Sequence, residues 1–310
     1  MHGAVPGMPG PMSANGRAWI AAIRPRTLVI GATPVFVGLA LAWHHTGRLD
    51  LPVALLTLFA ALAIQAGTNL HNDVADFERG ADDPATRKGP ERVVASGRLP
   101  APAVRRAAHA LFGLAVLAGV GLVLRGGWPI ALLGAAAVAC GLAYTGGPRP
   151  LGYLGLGELF VWAFFGVAAV AGTYYLQTGR VGFDALWLGA ILGLPAAAVL
   201  VVNNTRDRNE DARVGKRTLA VRWGLRAMRG LYAALMLAPA LGLLPLVAGG
   251  SWWLAGAWLL LPWALSLAHE ICAQPPGPAY NRLLVATARW EAAFGVLIAA
   301  GLVAGRFLSR

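Results

Sequence analysis

Residues 51–71, LPVALLTLFAALAIQAGTNLH, form an apolar run that passes directly into Asn72-Asp73-Val74-Ala75-Asp76-Phe77-Glu78-Arg79-Gly80-Ala81-Asp82. A run of that length and character matches the roughly 20 residues that cross a bilayer as a helix. Ionised carboxylates at the end of such a helix lose hydration, so an acidic cluster there marks a functional position. The design recurs at residues 183–204, an apolar run that leads into Thr205-Arg206-Asp207-Arg208-Asn209-Glu210-Asp211 and then Gly215-Lys216-Arg217-Thr218. Two such junctions in one chain predict one shared site for a divalent metal and a phosphorylated ligand.

The rest of the chain agrees with a membrane protein. Of its 310 residues, 57% are hydrophobic and only 13% charged, about half the charge of a soluble domain. Nine apolar segments, at about 27–44, 51–71, 103–124, 128–146, 156–177, 183–204, 228–248, 252–272 and 286–306, predict an all-α polytopic bundle. Residues 1 to about 16, rich in Gly, Pro, Ala and Met, read as a disordered tail before a single membrane domain over 17–310. The net charge of +12 sits in short loops between apolar runs, which argues against a nucleic-acid surface. Cys140 and Cys272 lie within apolar runs and predict neither a disulfide nor a zinc site.

Numbering the loops alternately places 21 of the 26 Lys and Arg residues on the side that carries both acidic clusters. The positive-inside rule makes that side, with the N terminus, cytoplasmic, as expected for a bacterial inner-membrane protein. Two long loops there, about 72–102 and 205–227, hold nearly all the polar chemistry. Trp43, Trp128, Trp187, Trp252 and Trp253 fall near the opposite ends of the spans, as an aromatic belt does.

Helical spacing puts Asn69, Asn72, Asp73 and Asp76 on one face, and Asn204, Asp207 and Asp211 on another. Facing carboxylates repel unless cations neutralise them, and Mg2+ suits oxygen ligands completed by water and phosphate. Lys216 and Arg217 adjoin the second cluster and are candidates for holding diphosphate oxygens; Arg149, Arg24 and Arg26 are further candidates.

These residues resemble the UbiA superfamily of intramembrane prenyltransferases. The likeness rests on Asn72-Asp73-x-x-Asp76 with the later Asp82, on Asp207-x-x-x-Asp211, and on the helix number, and it covers about residues 20 to 306. Four stretches are similar to the branch that prenylates 1,4-dihydroxy-2-naphthoate in menaquinone biosynthesis. They are Asn69 to Asp82, Asn203 to Gly224, Ala143 to Glu158 and Gly172 to Gln177. One departure is that many relatives carry the last acid of the first motif at the position of Gly80; here Asp82 takes that role, or the adjoining Asp83 does.

The resemblance implies a UbiA-type bundle of about nine helices in which Asp73, Asp76 and Asp82 bind one Mg2+ and Asp207 and Asp211 another. It further implies that the ions bridge the diphosphate of a polyprenyl donor, helped by Lys216, Arg217 and Arg149. Gln65, Asn69, Asn72, Asn203 and Asn204 would orient the acceptor or the diphosphate, and Tyr144, Tyr174 or Tyr175 would offer a ring to the allylic cation. The implied reaction transfers the prenyl group to 1,4-dihydroxy-2-naphthoate with decarboxylation, giving demethylmenaquinol. Rival readings are transfer to 4-hydroxybenzoate or homogentisate, haem o synthesis, and, outside enzymes, a cation-coupled transporter.

Overall fold

The computed structural model describes residues 14–308 except 83, 85 and 86. Asp83 and residues 1–13 of the expected tail lie outside the described residues. No strand occurs among the described residues, and eight helices are long and apolar enough to cross a membrane. They are α2 (Pro25–Thr46), α3 (Leu51–Glu78), α4 (Ala101–Gly126), α6 (Gly157–Thr178), α7 (Phe183–Arg206), α9 (Leu219–Ala248), α10 (Trp252–Ala273) and α11 (Ala279–Leu308). The shorter α5 (Trp128–Ala143) completes the nine apolar segments. Two short α-helices stand outside them: α1 (Ala14–Ile23), which begins inside the expected tail, and α8 (Arg208–Arg213).

Capping fixes where the spans start. The Asp50 side chain accepts from the Val53 N–H, and Gln177 grips the Asp50 backbone at 2.8 and 3.1 Å, tying the start of α3 to the end of α6. His44 meets the Leu302 carbonyl at 2.9 Å, and Arg306 donates to the His44 carbonyl, so the ends of α2 and α11 share that same end of the bundle. Both acidic segments lie at the other end, because α3 and α7 each run away from it.

The helices form two regions of unequal density. In the denser one, α2, α6, α7, α9, α10 and α11 enclose a continuous apolar core that includes Leu41, Leu192, Tyr232, Tyr280, Trp290 and Phe294. Glycines allow the closest crossing there: a Cβ on Gly166 of α6 would lie 2.4 Å from the Gly189 carbonyl of α7. The other region, α3, α4 and α5, is thinner; α5 buries only Ile130 and Gly141. A large cavity separates the two regions.

Candidate active site

Helix α3 continues well past the apolar run and carries its polar residues as one turn-spaced face. Asn69, Asn72 and Asp76 line the cavity, with Gln65 one turn earlier. Asp73 lies behind them, buried, with Oδ1 accepting from the Val94 N–H at 3.2 Å. The helix then stops in a Schellman turn: Gly80, at φ 69°, donates to the Phe77 carbonyl and Ala81 to that of Asp76. This reversal returns the chain so that buried Asp82 reaches Arg87 and Arg92, the latter at 3.1 Å. Arg92 also lies 3.4 Å from Asp76.

The second segment is built differently. Helix α7 ends at Arg206, whose guanidinium holds both oxygens of Asp207 at 2.7 and 2.6 Å. The short α8 follows and buries Asp211, which Lys216 approaches at 3.4 Å. Burial pushes the Asp211 carboxyl up to about 6, with the Asp207 charge adding to the rise, and pushes Asp82 up to about 7. Burial alone would lower the Lys216 pKa; Asp76 and Asp211 more than reverse this and hold the ammonium charged.

Lys216 joins the two segments. Its Nζ stands 5.4 Å from the centre of the Tyr153 ring, and the Tyr153 hydroxyl lies 3.4 Å from Asp76 Oδ1. The chain Asp76–Tyr153–Lys216–Asp211 therefore connects acids from α3 and α8. Of the five expected acids, however, only Asp76 lines the cavity, with Lys216; Asp73, Asp82, Asp207 and Asp211 stand behind its wall. Burial beside Asp76 pushes the Tyr153 phenol up to about 12, so it stays a proton donor.

The cavity measures about 1370 Å³ and has two kinds of wall. Its polar end holds Asp76, Lys216, Arg24, Arg26, Arg87, Arg92, Arg206, Tyr144 and the asparagines. Its other walls are apolar, with Ala60, Ile64, Val116, Val120, Val138, Phe164 and Phe165 reaching toward Leu124 and Leu176 at the far helix ends. Thr57 and Asp76 both line it, so along α3 it runs for roughly 28 Å at 1.5 Å per residue. Arg24, at the α1–α2 junction, is the one non-glycine residue with positive φ among those described, at 58°. Burial lowers its pKa, and Asp73 offsets part of that effect.

Partners set the polarity that each asparagine leaves for a ligand. Asn72 Oδ1 accepts from Thr145 at 2.6 Å and Asn203 Oδ1 from Arg206 at 2.9 Å, which leaves both amide groups as donors. Asn69 donates to the Ile23 carbonyl at 2.8 Å, and Asn204 to buried Glu158 at 2.9 Å, which leaves their oxygens as acceptors. The polar end can thus bind anionic oxygens and hydroxyl groups at once.

Among the described residues no three His, Cys, Asp or Glu side chains gather closely enough to cage a metal ion. The residues instead fit Mg2+ held by one or two carboxylates and completed by water and substrate phosphate. Asp211 Oδ2 is buried without a hydrogen-bond partner, so a divalent ion there would supply a positive charge and a contact that this oxygen lacks.

Two basic residues expected at the site are not brought to it. Arg149 is exposed in the loop between Pro148 and Pro150, which turns it to solvent. Arg217 is exposed because its backbone is fixed at both ends: its N–H donates to Tyr153 O at 3.0 Å and its carbonyl accepts from Arg222. Of the three candidate rings only Tyr144 lines the cavity. Tyr174 pairs with His45 and Tyr175 with the Gly126 carbonyl at the far end. The sequence reading passed over Tyr153, Arg87, Arg92, Arg206 and Asn281. An arginine set between Asn203 and Asp207 was the one signal available for Arg206.

Comparison with known proteins adds a family and a fold. The UbiA prenyltransferase family pattern matches residues 32–284. The chain is 44% identical over 226 residues to the 1,4-dihydroxy-2-naphthoate octaprenyltransferase of Mycobacterium tuberculosis, covering 72% of this chain and 75% of that protein. It is 37% identical to that of Mycobacterium leprae, covering 93% and 97%, and 39% identical to that of Escherichia coli, covering 71% and 73%. Among solved structures, a UbiA homolog from Archaeoglobus fulgidus superposes with a TM-score of 0.65 at 15% identity, over 93% of this chain and 99% of that one. The same homolog bound to GPP and Mg2+ gives a TM-score of 0.63. At that identity the likeness shows the fold.

Proposed function

We propose, from the premise that this chain belongs to the UbiA prenyltransferase family, that it transfers a polyprenyl group from its diphosphate to 1,4-dihydroxy-2-naphthoate. Carbon dioxide leaves in the reaction, and demethylmenaquinol is the product. The observation that carries the reading is the two-walled cavity: a charged end where the acidic segments meet, continuous with an apolar channel. A prenyl diphosphate has that same division between head and tail. The relatives named above are octaprenyl transferases acting on this acceptor, which supports the choice of aromatic substrate.

The chain is an integral membrane protein, and the reading places its acidic end at the cytoplasmic face of a bacterial inner membrane. Asp76 and Asp211 would be the principal holders of Mg2+, with Asp73, Asp82 and Asp207 around them, and the ion would stabilise charge on the departing diphosphate. Lys216, Arg87 and Arg92 add fixed positive charge where that negative charge grows, which favours the transition state over the bound donor. The amide groups of Asn72 and Asn203 donate to diphosphate oxygens, while Asn69 and Asn204 accept from acceptor hydroxyls. Tyr144 faces the allylic carbon, and the apolar walls exclude water from the cation.

Bond changes balance within the two substrates. The allylic C–O bond breaks and its electron pair leaves with diphosphate. The ring carbon bearing the carboxylate then forms the new C–C bond, and the pair released by decarboxylation restores aromaticity. This sequence needs no protein base. Acids at helix ends beside basic loops also fit an interfacial enzyme better than a transporter, whose sites lie near the midplane.

The test uses purified protein in lipid nanodiscs with radiolabelled prenyl diphosphate and acceptor labelled at the carboxyl carbon. Expected are Mg2+-dependent transfer of label to a lipid product, equal release of labelled carbon dioxide, and loss of both with EDTA. Prenylation of 4-hydroxybenzoate but not of the naphthoate would overturn the acceptor assignment.

A further inference from the structure

We infer that Asn281, on the first turn of α11, is a positioning residue of this reaction: with Arg206 it latches the first acidic loop across the polar end of the cavity. Arg206 is the hub, and its side chain is almost fully enclosed at 1% exposure. Besides holding Asp207, it donates from Nη2 to Asn203 at 2.9 Å and from Nη1 to Asn281 Oδ1 at 2.8 Å. Asn281 in turn donates from Nδ2 to the Lys88 carbonyl at 2.9 Å. Lys88 closes the circuit with an ion pair to Glu210 at 3.4 Å. Segments almost two hundred residues apart are thus pinned around one guanidinium, Asn281 and Lys88 being 193 positions apart.

Gly89 shows how closely the loop is pressed down. A Cβ there would lie 2.6 Å from Arg206 Nη2 and 2.9 Å from Cζ. The guanidinium cannot yield, because four hydrogen bonds fix it. What the latch holds in place is the stretch from Arg87 to Arg92, whose arginines line the cavity and pair with Asp82 and Asp76. Asn281 and Arg206 line the cavity too, so the latch lies at the site itself. Its geometric function is to fix where two cations stand relative to the diphosphate, a placement on which both binding and rate depend.

Full-length protein in nanodiscs tests this through two readouts, of which only the kinetic one rests on the function proposed above. The first is tryptic cleavage after Arg87, Lys88 and Arg92, timed by mass spectrometry; the second is steady-state kinetics with geranyl diphosphate and the naphthoate. Asn281→Ala should speed cleavage about tenfold, and by loosening the two cations it should both raise the donor KM and lower kcat, each by about tenfold. Asn281→Asp keeps an oxygen for Arg206 but sets another against the Lys88 carbonyl, so it should release the loop as well. Gly89→Ala should give the same result from the loop side and covers the case in which an Asn281 variant fails to fold. Wild-type cleavage rates and donor KM in the folded variants would overturn the latch, as would a fall in kcat at unchanged KM and cleavage rate. Faster cleavage without any prenyl transfer by the wild type would instead keep the latch and sink the assigned reaction.

Discussion

The two acidic segments share residue types and differ in how their charges are held. In the first, α3 continues intact to Glu78 and a glycine turn folds the next acid back, so the counter-ions Arg87 and Arg92 come from the segment's own loop. In the second, Arg206 at the helix end takes Asp207 in a two-pronged grip, while Lys216 reaches Asp211 from beyond a short helix. The contacts also differ in tightness. Asp207 is bound at 2.6 and 2.7 Å, whereas Asp76 to Arg92 and Asp211 to Lys216 both measure 3.4 Å. Short bidentate pairs resist exchange, and longer single contacts give way more readily to a competing ion. Each segment therefore offers one acid that is loosely held, and those two acids face each other through Tyr153 and Lys216.

The sharpest way to break that comparison is to neutralise the loose pair. Asp76→Asn and Asp211→Asn should each lower kcat by about a thousandfold or more, since both remove charge that binds the ion on the leaving group. Both variants should still melt cooperatively, because the amide keeps the side chain's shape. Near-normal turnover in either variant would remove that residue from the site. Next in size is Lys216→Met, which takes away the cation shared by the two segments and should cost about a hundredfold in kcat. Lys216→Arg should restore part of this, through charge placed near the same acids, and steady-state rates at saturating Mg2+ read both.

Acidity separates the segments further. Asp82 is pushed up to about 7 and Asp211 to about 6, from 3.8, so the folded protein keeps protons that the unfolded chain gives up. These two groups therefore contribute stability that is complete below about pH 4 and is lost as pH rises toward 7. In EDTA, melting midpoints should fall across that range. Asp82→Asn should flatten the fall between pH 6 and 7, and Asp211→Asn its lower part. A midpoint in EDTA that climbed from pH 4 to 7 and was unaffected by either variant would contradict the sign.

Most of the architecture could be read from the chain because a bilayer accepts few solutions: apolar runs of about 20 residues become helices. Less visible were the helix ends. Helix α3 runs to Glu78 because its polar face turns inward to the cavity, a protection that no local pattern reveals. The short α1 was hidden by its Gly- and Pro-rich approach and by the left-handed Arg24 that divides it from α2. At the site, turn spacing grouped Asn69, Asn72, Asp73 and Asp76 on one face, of which Asn69, Asn72 and Asp76 line the cavity while Asp73 turns behind it to the Val94 N–H. Lys216 could be read from its place beside Asp211, but Arg87 and Arg92 sit in a loop without periodicity. The hydrogen bond of Arg206 to Asn281 joins residues 75 positions apart that only the folded bundle brings together.

Arg149 and Arg217 sharpen the comparison from its weak end. Both adjoin functional stretches in sequence, and both point to solvent in the fold. An exposed cation beyond the cavity feels the diphosphate only through water and salt, where a unit charge is largely screened within about 8–10 Å. Arg149→Ala and Arg217→Ala should therefore change kcat/KM by less than about threefold at physiological ionic strength. Any larger effect should shrink as salt is added, as long-range attraction of an anionic substrate requires. A loss of a hundredfold that survived high salt would mean that one of these side chains turns inward to bind the diphosphate directly, giving that segment a cation like those of the Arg87–Arg92 loop.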